Sequence, residues 1–273
     1  EGEMTNLTQS LALLGRYLAI SVRGQMQYRA SFLMLFVGSF FISLLEFVTV
    51  VLLFDRFGQL RDWSLAEVAL LYGLVNVAFS LAEATSQGFE HLSQMVRRGD
   101  FDRILLRPRS AVLQIAGQQL HLRRFGRMLQ GAAVLLWALH NLDVPIDAAR
   151  IALLTLTLLG GTCLFYGLFV LEGTMSFWTI ESLELWASLT NGGVFAAQYP
   201  MSMYRRAFRW FFTFLVPLAG ISYYPGLALS GRIPLSGAQA TISWVAPLSG
   251  ILFLLLSLAV WRIGVRRYTS TGS

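Results

Sequence analysis

The sequence has no lysine; all 21 of its basic residues are arginine. A Walker loop needs Gly-Lys-Ser/Thr to cradle phosphates, so nucleotide binding of that kind is excluded. Schiff-base chemistry, which needs a lysine amine, is excluded with it. Cysteine is nearly absent: Cys163 stands alone, which leaves no disulfide framework and no thiolate metal cluster. His91, His121 and His140 lack a second histidine or carboxylate at metal-ligand spacing, so no metal site is expected. No serine sits in a Gly-x-Ser-x-Gly turn, and no catalytic residue is expected. Charge is scarce as well, at 13% of residues against about a quarter in soluble domains.

What remains is apolar. Hydrophobic residues make up 55% of the 273, with a mean hydropathy of +0.59, and they fall into runs of the length a bilayer requires. Six spans are expected: Ala30–Phe54, Leu65–Ala84, Met128–Leu142, Ile151–Val170 (running on to Phe177), Trp210–Leu229 and Ile242–Val265. The third is short, and Leu113–Leu122 is a candidate to extend it. Pro217 and Pro225 lie inside the fifth and are placed to kink or end it. Ser176–Arg206, with Trp178, Trp186, Glu181, Glu184, Asn191-Gly192-Gly193 and Pro200, reads as interfacial and partly helical. Glu181 and Glu184 share a helix face there and read as solvated.

The N-terminal region is amphipathic. Glu1–Glu3 precede Met4 and read as an addition ahead of it, within a tail over 1–6. From 7 to 29, Leu7, Leu11, Leu14 and Leu18 line one side and Gln9, Arg16, Arg23 and Gln27 the other, the pattern of a helix lying in the headgroup layer. An arginine interrupts the apolar stretch and no small-residue cleavage site follows, so it does not read as a signal peptide. The expected domain is then one bundle over 30–265 and a tail over 266–273. In alternate loops the arginines divide 17 to 4, which puts both termini in the cytoplasm. The net charge of +6 is therefore a matter of topology, and a nucleic-acid partner is discarded.

The polar stretch between spans two and three is the most informative. Phe89, Leu92, Met95 and Val96 share one helical face, and Glu90, Gln94 and Arg97 another. Gly99 stops this helix, and Asp100 caps the next turn. The segment reads either as a surface helix resting on headgroups or as a docking element whose apolar knobs seat in a groove of a soluble partner.

The interfacial helix, the six spans with both termini inside and this cytoplasmic helix resemble the permease subunits of ATP-binding-cassette exporters of the second permease type. Three strings are similar to a bacterial subfamily of them: Gln25-Met26-Gln27-Tyr28-Arg29-Ala30-Ser31-Phe32, Arg97-Arg98-Gly99-Asp100-Phe101-Asp102-Arg103 with Leu106-Arg107-Pro108, and Arg267-Tyr268-Thr269-Ser270-Thr271-Gly272-Ser273. The resemblance implies an all-α membrane protein in the bacterial inner membrane. It implies an elbow helix, and a coupling helix matching Phe89–Arg98, with Phe89, Leu92, Met95, Val96, Arg97, Arg98, Asp100, Phe101, Asp102 and Arg103 transmitting ATPase motion. It implies partner ATPase subunits that bind ATP and magnesium, and a second permease, more often a different chain than a copy. No cofactor is expected in this chain, and membrane lipid surrounds it.

Carboxylates inside spans mark the expected path. Glu46 lies near the middle of span one, and Glu83 and Glu172 near the inner ends of spans two and four. A charge at mid-bilayer costs about 2.5–3.5 kcal/mol on insertion scales and so faces a cavity or a partner. Glu46 reads as a sealed buried pair or as a substrate contact; Glu83 and Glu172 read as pairing with arginines, and Asn76 is a weaker polar candidate. Glu46, Asn76 and Glu83 are the substrate-path residues. The expected cargo is an amphipathic or hydrophobic drug, lipid or glycolipid. The alternative is an ion-coupled secondary transporter, against which stand the missing inverted repeat and the single mid-membrane carboxylate.

Overall fold

In the computed structural model the described residues are 15, 19–107, 110–117, 120–178 and 183–268, without the side chains of 183–185 and 187. Outside them lie Leu7, Gln9, Leu11, Leu14, Arg16 and Leu18 of the expected interfacial helix, Pro108, Arg109, Glu181, the Glu184 side chain and Thr269–Ser273. The described residues contain helices and no strand. The first, α1, covers 19–26, and α2 runs Arg29–Phe57.

The central helix, α3, spans Leu65–Glu90. The Ser64 hydroxyl accepts from the Glu67 N–H, and the Glu67 carboxylate accepts from the Ser64 N–H in return, which satisfies two of the orphan donors at a helix start. Four short elements follow: α4 (Leu92–Arg97), α5 (Asp100–Leu105), α6 (Ala111–Ala116) and a 3₁₀ turn, Leu122–Arg124. Then come α7 (Phe125–Asn141) and α8 (Ala148–Met175), the latter capped by Asp147, which accepts from the Arg150 N–H. Next are α9 (Leu183–Ala197), α10 (Arg206–Trp210), a π turn over Phe211–Leu215, α11 (Leu218–Ile221), α12 (Tyr223–Leu229), α13 (Ala238–Val245) and α14 (Leu248–Arg267).

Four of these helical runs are long and apolar enough to cross a bilayer: Arg29–Phe57, Leu65–Arg97, Ala148–Met175 and Ala238–Arg267. A fifth is formed if Arg206–Leu215 and Leu218–Leu229, bent by 73°, count as one. The bend falls at Pro217, which has no N–H to donate, and Val216 before it is held extended, as a residue preceding proline prefers. Helix α7 is the element that departs from the expected six. Its 17 residues reach about 25 Å at helical rise, against about 30 Å of hydrocarbon. Leu113–Leu122 does not extend it, because α6 ends at Ala116 and the chain turns before Leu122. Ser176–Arg206 is more helical than its glycines and prolines suggest: α9 buries Val194, Ala196 and Ala197.

The core sits along α3, buried on nearly every side between α7 and α8. Helix α8 lies backbone to backbone on α14, where a Cβ at Gly250 would fall 2.0 Å from the Gly160 carbonyl oxygen; small residues permit such an approach. Helix α2 is the opposite case. Only Ser43, Val50 and Phe54 are buried along it, and its remaining apolar surface suits lipid as solvent.

Candidate functional site

Polar side chains from three helices meet inside the bundle. Asn76 on α3 is fully buried. Its Nδ2 donates to the Tyr72 carbonyl at 2.9 Å, and its Oδ1 accepts from Arg127 Nε at 2.8 Å. Arg127, on α7, also lies 3.7 Å from the Glu46 carboxylate of α2 and 5.0 Å above the Phe79 ring. The Tyr72 hydroxyl donates to the Ser43 carbonyl at 2.8 Å and contacts Gln130 Oε1 at 3.4 Å. Nearer the arginine-rich end, Glu83 and Arg124 pair at 2.8 Å. Two cations thus face two carboxylates, which removes most of the cost of holding either sign away from water.

The structure brings Glu46 and Asn76 together through Arg127 and places Glu83 on a separate pair. Glu172, expected to pair with an arginine, makes no ion pair among the described residues. Sequence reasoning missed Tyr72, Arg124, Arg127 and Gln130. Arg127 was assigned to the polar loop because span three was started at Met128, whereas α7 begins two residues before Arg127. The available signal was spacing: Arg124, Arg127 and Gln130 recur every third residue, on one helix face.

The segment after α3 corrects a second expectation. Phe89 and Leu92 are fully buried, Val96 nearly so, and Phe101 fully. They point into the protein, so none of them is a knob free to seat in a partner. Phe89 meets Tyr166 and Trp261 edge-on at 5.8 and 5.5 Å, and Phe101 meets Phe177 and Tyr268 at 5.1 Å each. The same apolar face that reads as a docking stripe is satisfied by α8 and α14 of its own chain. Met95 is half-buried; His91, Gln94, Arg97, Arg98, Arg103 and Leu106 are exposed. Gly99 does stop α4, in the left-handed conformation at φ 72°. Asp100 is the first residue of α5, one place later than a cap, where its charge favours the helix start; it lies 3.9 Å from Arg103. Asp102 lies beside Tyr268, whose hydroxyl is pushed above its ordinary pKa by burial and then by that carboxylate.

At the opposite end of α3, Arg232 donates to both Glu67 oxygens and to the Asp62 carbonyl, and its guanidinium lies 4.4 Å over Trp63. These bonds hold Arg232 above the ordinary arginine range. Among the described residues no group of three histidine, cysteine or carboxylate side chains could hold a metal ion.

A family model described as ABC-2 family transporter protein matches residues 40–272 of the chain. No curated protein and no solved structure matches it.

Proposed function

The chain belongs to the ABC-2 transporter family, and from that premise we propose that it is the permease subunit of an ATP-driven bacterial exporter. It would cross the inner membrane six times, with α7 as the short third span and the bent α10–α12 run as the fifth. The 17-to-4 arginine division supports placing both termini in the cytoplasm. ATP and magnesium would be held by separate ATPase subunits, and a second permease, of different sequence, would complete the path. Residues 19–26 would belong to an elbow helix.

The observation that carries this reading is the seating of residues 89–105. Phe89, Leu92 and Phe101 lock the segment to α8 and α14, while Arg97, Arg98 and Arg103 stay exposed on its other side. A push on the exposed face would therefore pass directly into two long helices. The partner would be met by the arginines and by His91, Gln94 and Asp100, which line a hollow of about 160 Å3. Glu46, Asn76 and Glu83 would line the route of an amphipathic cargo, with Arg127 and Arg124 compensating their charge and polarity.

The test is co-purification with the products of neighbouring genes in mild detergent. A stoichiometric ATPase is expected with the native chain. Arg97→Glu with Arg98→Glu should lose the ATPase and leave membrane insertion and thermal stability unchanged, since both side chains are exposed. Full association and coupled hydrolysis in that variant would overturn the docking assignment. Recovery of the chain alone, with flux that follows a proton gradient in liposomes, would replace the exporter by the ion-coupled reading.

A further inference from the structure

Two open hollows share Leu35 and Arg123 and form one furrow between α1, α2 and the start of α7. The outer part encloses about 640 Å3 and the deeper part about 270 Å3. Its mouth is polar and fixed in shape. The Leu120 N–H donates to Ser21 Oγ at 2.9 Å, and the Leu122 N–H donates to Gln25 Oε1 at 3.1 Å. One wall, along Phe32, Leu35 and Ile42 of α2, is apolar, while Ser39, Ser43, Glu46 and three arginines also line the deeper part. The space beside Gly38 is open, since a Cβ at that position would meet nothing within 4 Å.

Three arginines line the furrow, and two of them are compensated. Arg124 faces Glu83 at 2.8 Å and Arg127 faces Glu46 at 3.7 Å. Arg123 makes no ion pair among the described residues, and its buried Nε has no hydrogen-bond partner. His121 adds no charge at neutral pH: burial first, then Arg123, Arg124 and His91, push its pKa down to about 4. The furrow thus carries one uncompensated positive charge where its two hollows meet. A guanidinium without a carboxylate partner favours an oxyanion. An apolar wall running on from it favours a hydrocarbon chain. From Ser31 to Glu46 the furrow follows α2 for about 22 Å, longer than the ~15 Å of half a hydrocarbon core.

We propose that this furrow binds an anionic phospholipid of the leaflet it opens onto, with the phosphodiester on Arg123 and one acyl chain along Leu35, Gly38 and Ile42. A single negative charge matches the single uncompensated cation. Binding does not require that the lipid be transported, so it stands apart from the exporter reading.

The test uses the full chain purified in detergent and counts lipids retained in native mass spectrometry. Phosphatidylglycerol and diacylglycerol, which lacks the phosphodiester, are offered in competition. Phosphatidylglycerol should be preferred by about tenfold, the scale of one charge-assisted contact. Arg123→Gln should abolish the preference, and Gly38→Leu, filling the furrow, should weaken phosphatidylglycerol with Arg123 intact. A Cβ at Gly38 meets nothing within 4 Å, and an unchanged gel-filtration profile checks the fold of both variants. Inorganic phosphate at millimolar concentration should not displace the lipid. Equal retention of the two lipids, a preference that survives Arg123→Gln, or displacement by phosphate alone would each overturn the proposal.

Discussion

Replacing Arg127 by methionine keeps much of the side chain's length and removes its charge, and it decides which of two contacts anchors α7 to the bundle. The first is the 2.8 Å hydrogen bond from Arg127 Nε to Asn76, whose side chain is fully buried. Without it the amide oxygen has no partner, a loss of about 1–3 kcal/mol, although interhelical hydrogen bonds in membranes average nearer ~0.6 and reach about 1.7. The second contact, to Glu46, spans 3.7 Å, and the Glu46 side chain is 30% exposed. The carboxylate oxygen that Arg127 faces is itself buried and has no hydrogen-bond partner among the described residues, and 3.7 Å is too long for a hydrogen bond. Distance favours the amide. Arg127→Met should therefore cost about 2 kcal/mol, and Glu46→Gln less.

A double-mutant cycle separates the two. Unfolding in detergent micelles, followed by circular dichroism, should give a coupling of about 1–2 kcal/mol for Arg127→Met with Asn76→Leu. The cycle with Glu46→Gln should give less. A larger coupling to Glu46 than to Asn76 would refute the ordering and make the carboxylate the anchor.

Arg127 also marks the boundary of what hydrophobic patterning reveals. Spans one, two and four were legible because each is a long apolar run with few polar residues inside it, and the observed helices α2, α3 and α8 extend them by a few residues at their ends. Span three was cut at Met128 because an arginine ordinarily belongs to water. What lets Arg127 lie inside is supplied by Asn76, Glu46 and Phe79, residues far off in the chain that no local window includes. The same limit governs Phe89 and Leu92. Their shared helical face was legible, but a stripe does not say what covers it, and Trp261 and Val170 come from helices much later in the sequence. Of the two prolines in span five, Pro217 breaks the helix where its missing N–H requires, whereas Pro225 sits in the first turn of α12, where a missing N–H is tolerated. Glu83 was expected to find an arginine and does, because both are near the same end of the bundle.

Two further consequences concern packing and pH. Gly250→Leu should drive a side chain into the Gly160 backbone 2.0 Å away and destabilise by about 3 kcal/mol or more. Gly192→Ala, in α9 with nothing within 4 Å, should be neutral or stabilising by up to about 1 kcal/mol; equal melting temperatures for the two would contradict the backbone contact of α8 and α14. For His121 the sign follows from its pKa of about 4 in the folded chain against an ordinary 6.5. Between those values the unfolded chain binds the extra proton and the folded chain does not, so stability falls as pH is lowered through that window and levels off below about 4. Carboxylates titrate over the lower part of the same range, so the informative quantity is the difference between the native chain and His121→Gln. The native chain should lose more stability from pH 7 to 4, with the excess beginning near 6.5. Identical pH profiles would mean that the imidazole accepts its proton beside Arg123 and Arg124 as readily folded as unfolded, and that the mouth of the furrow is wetter than its burial implies.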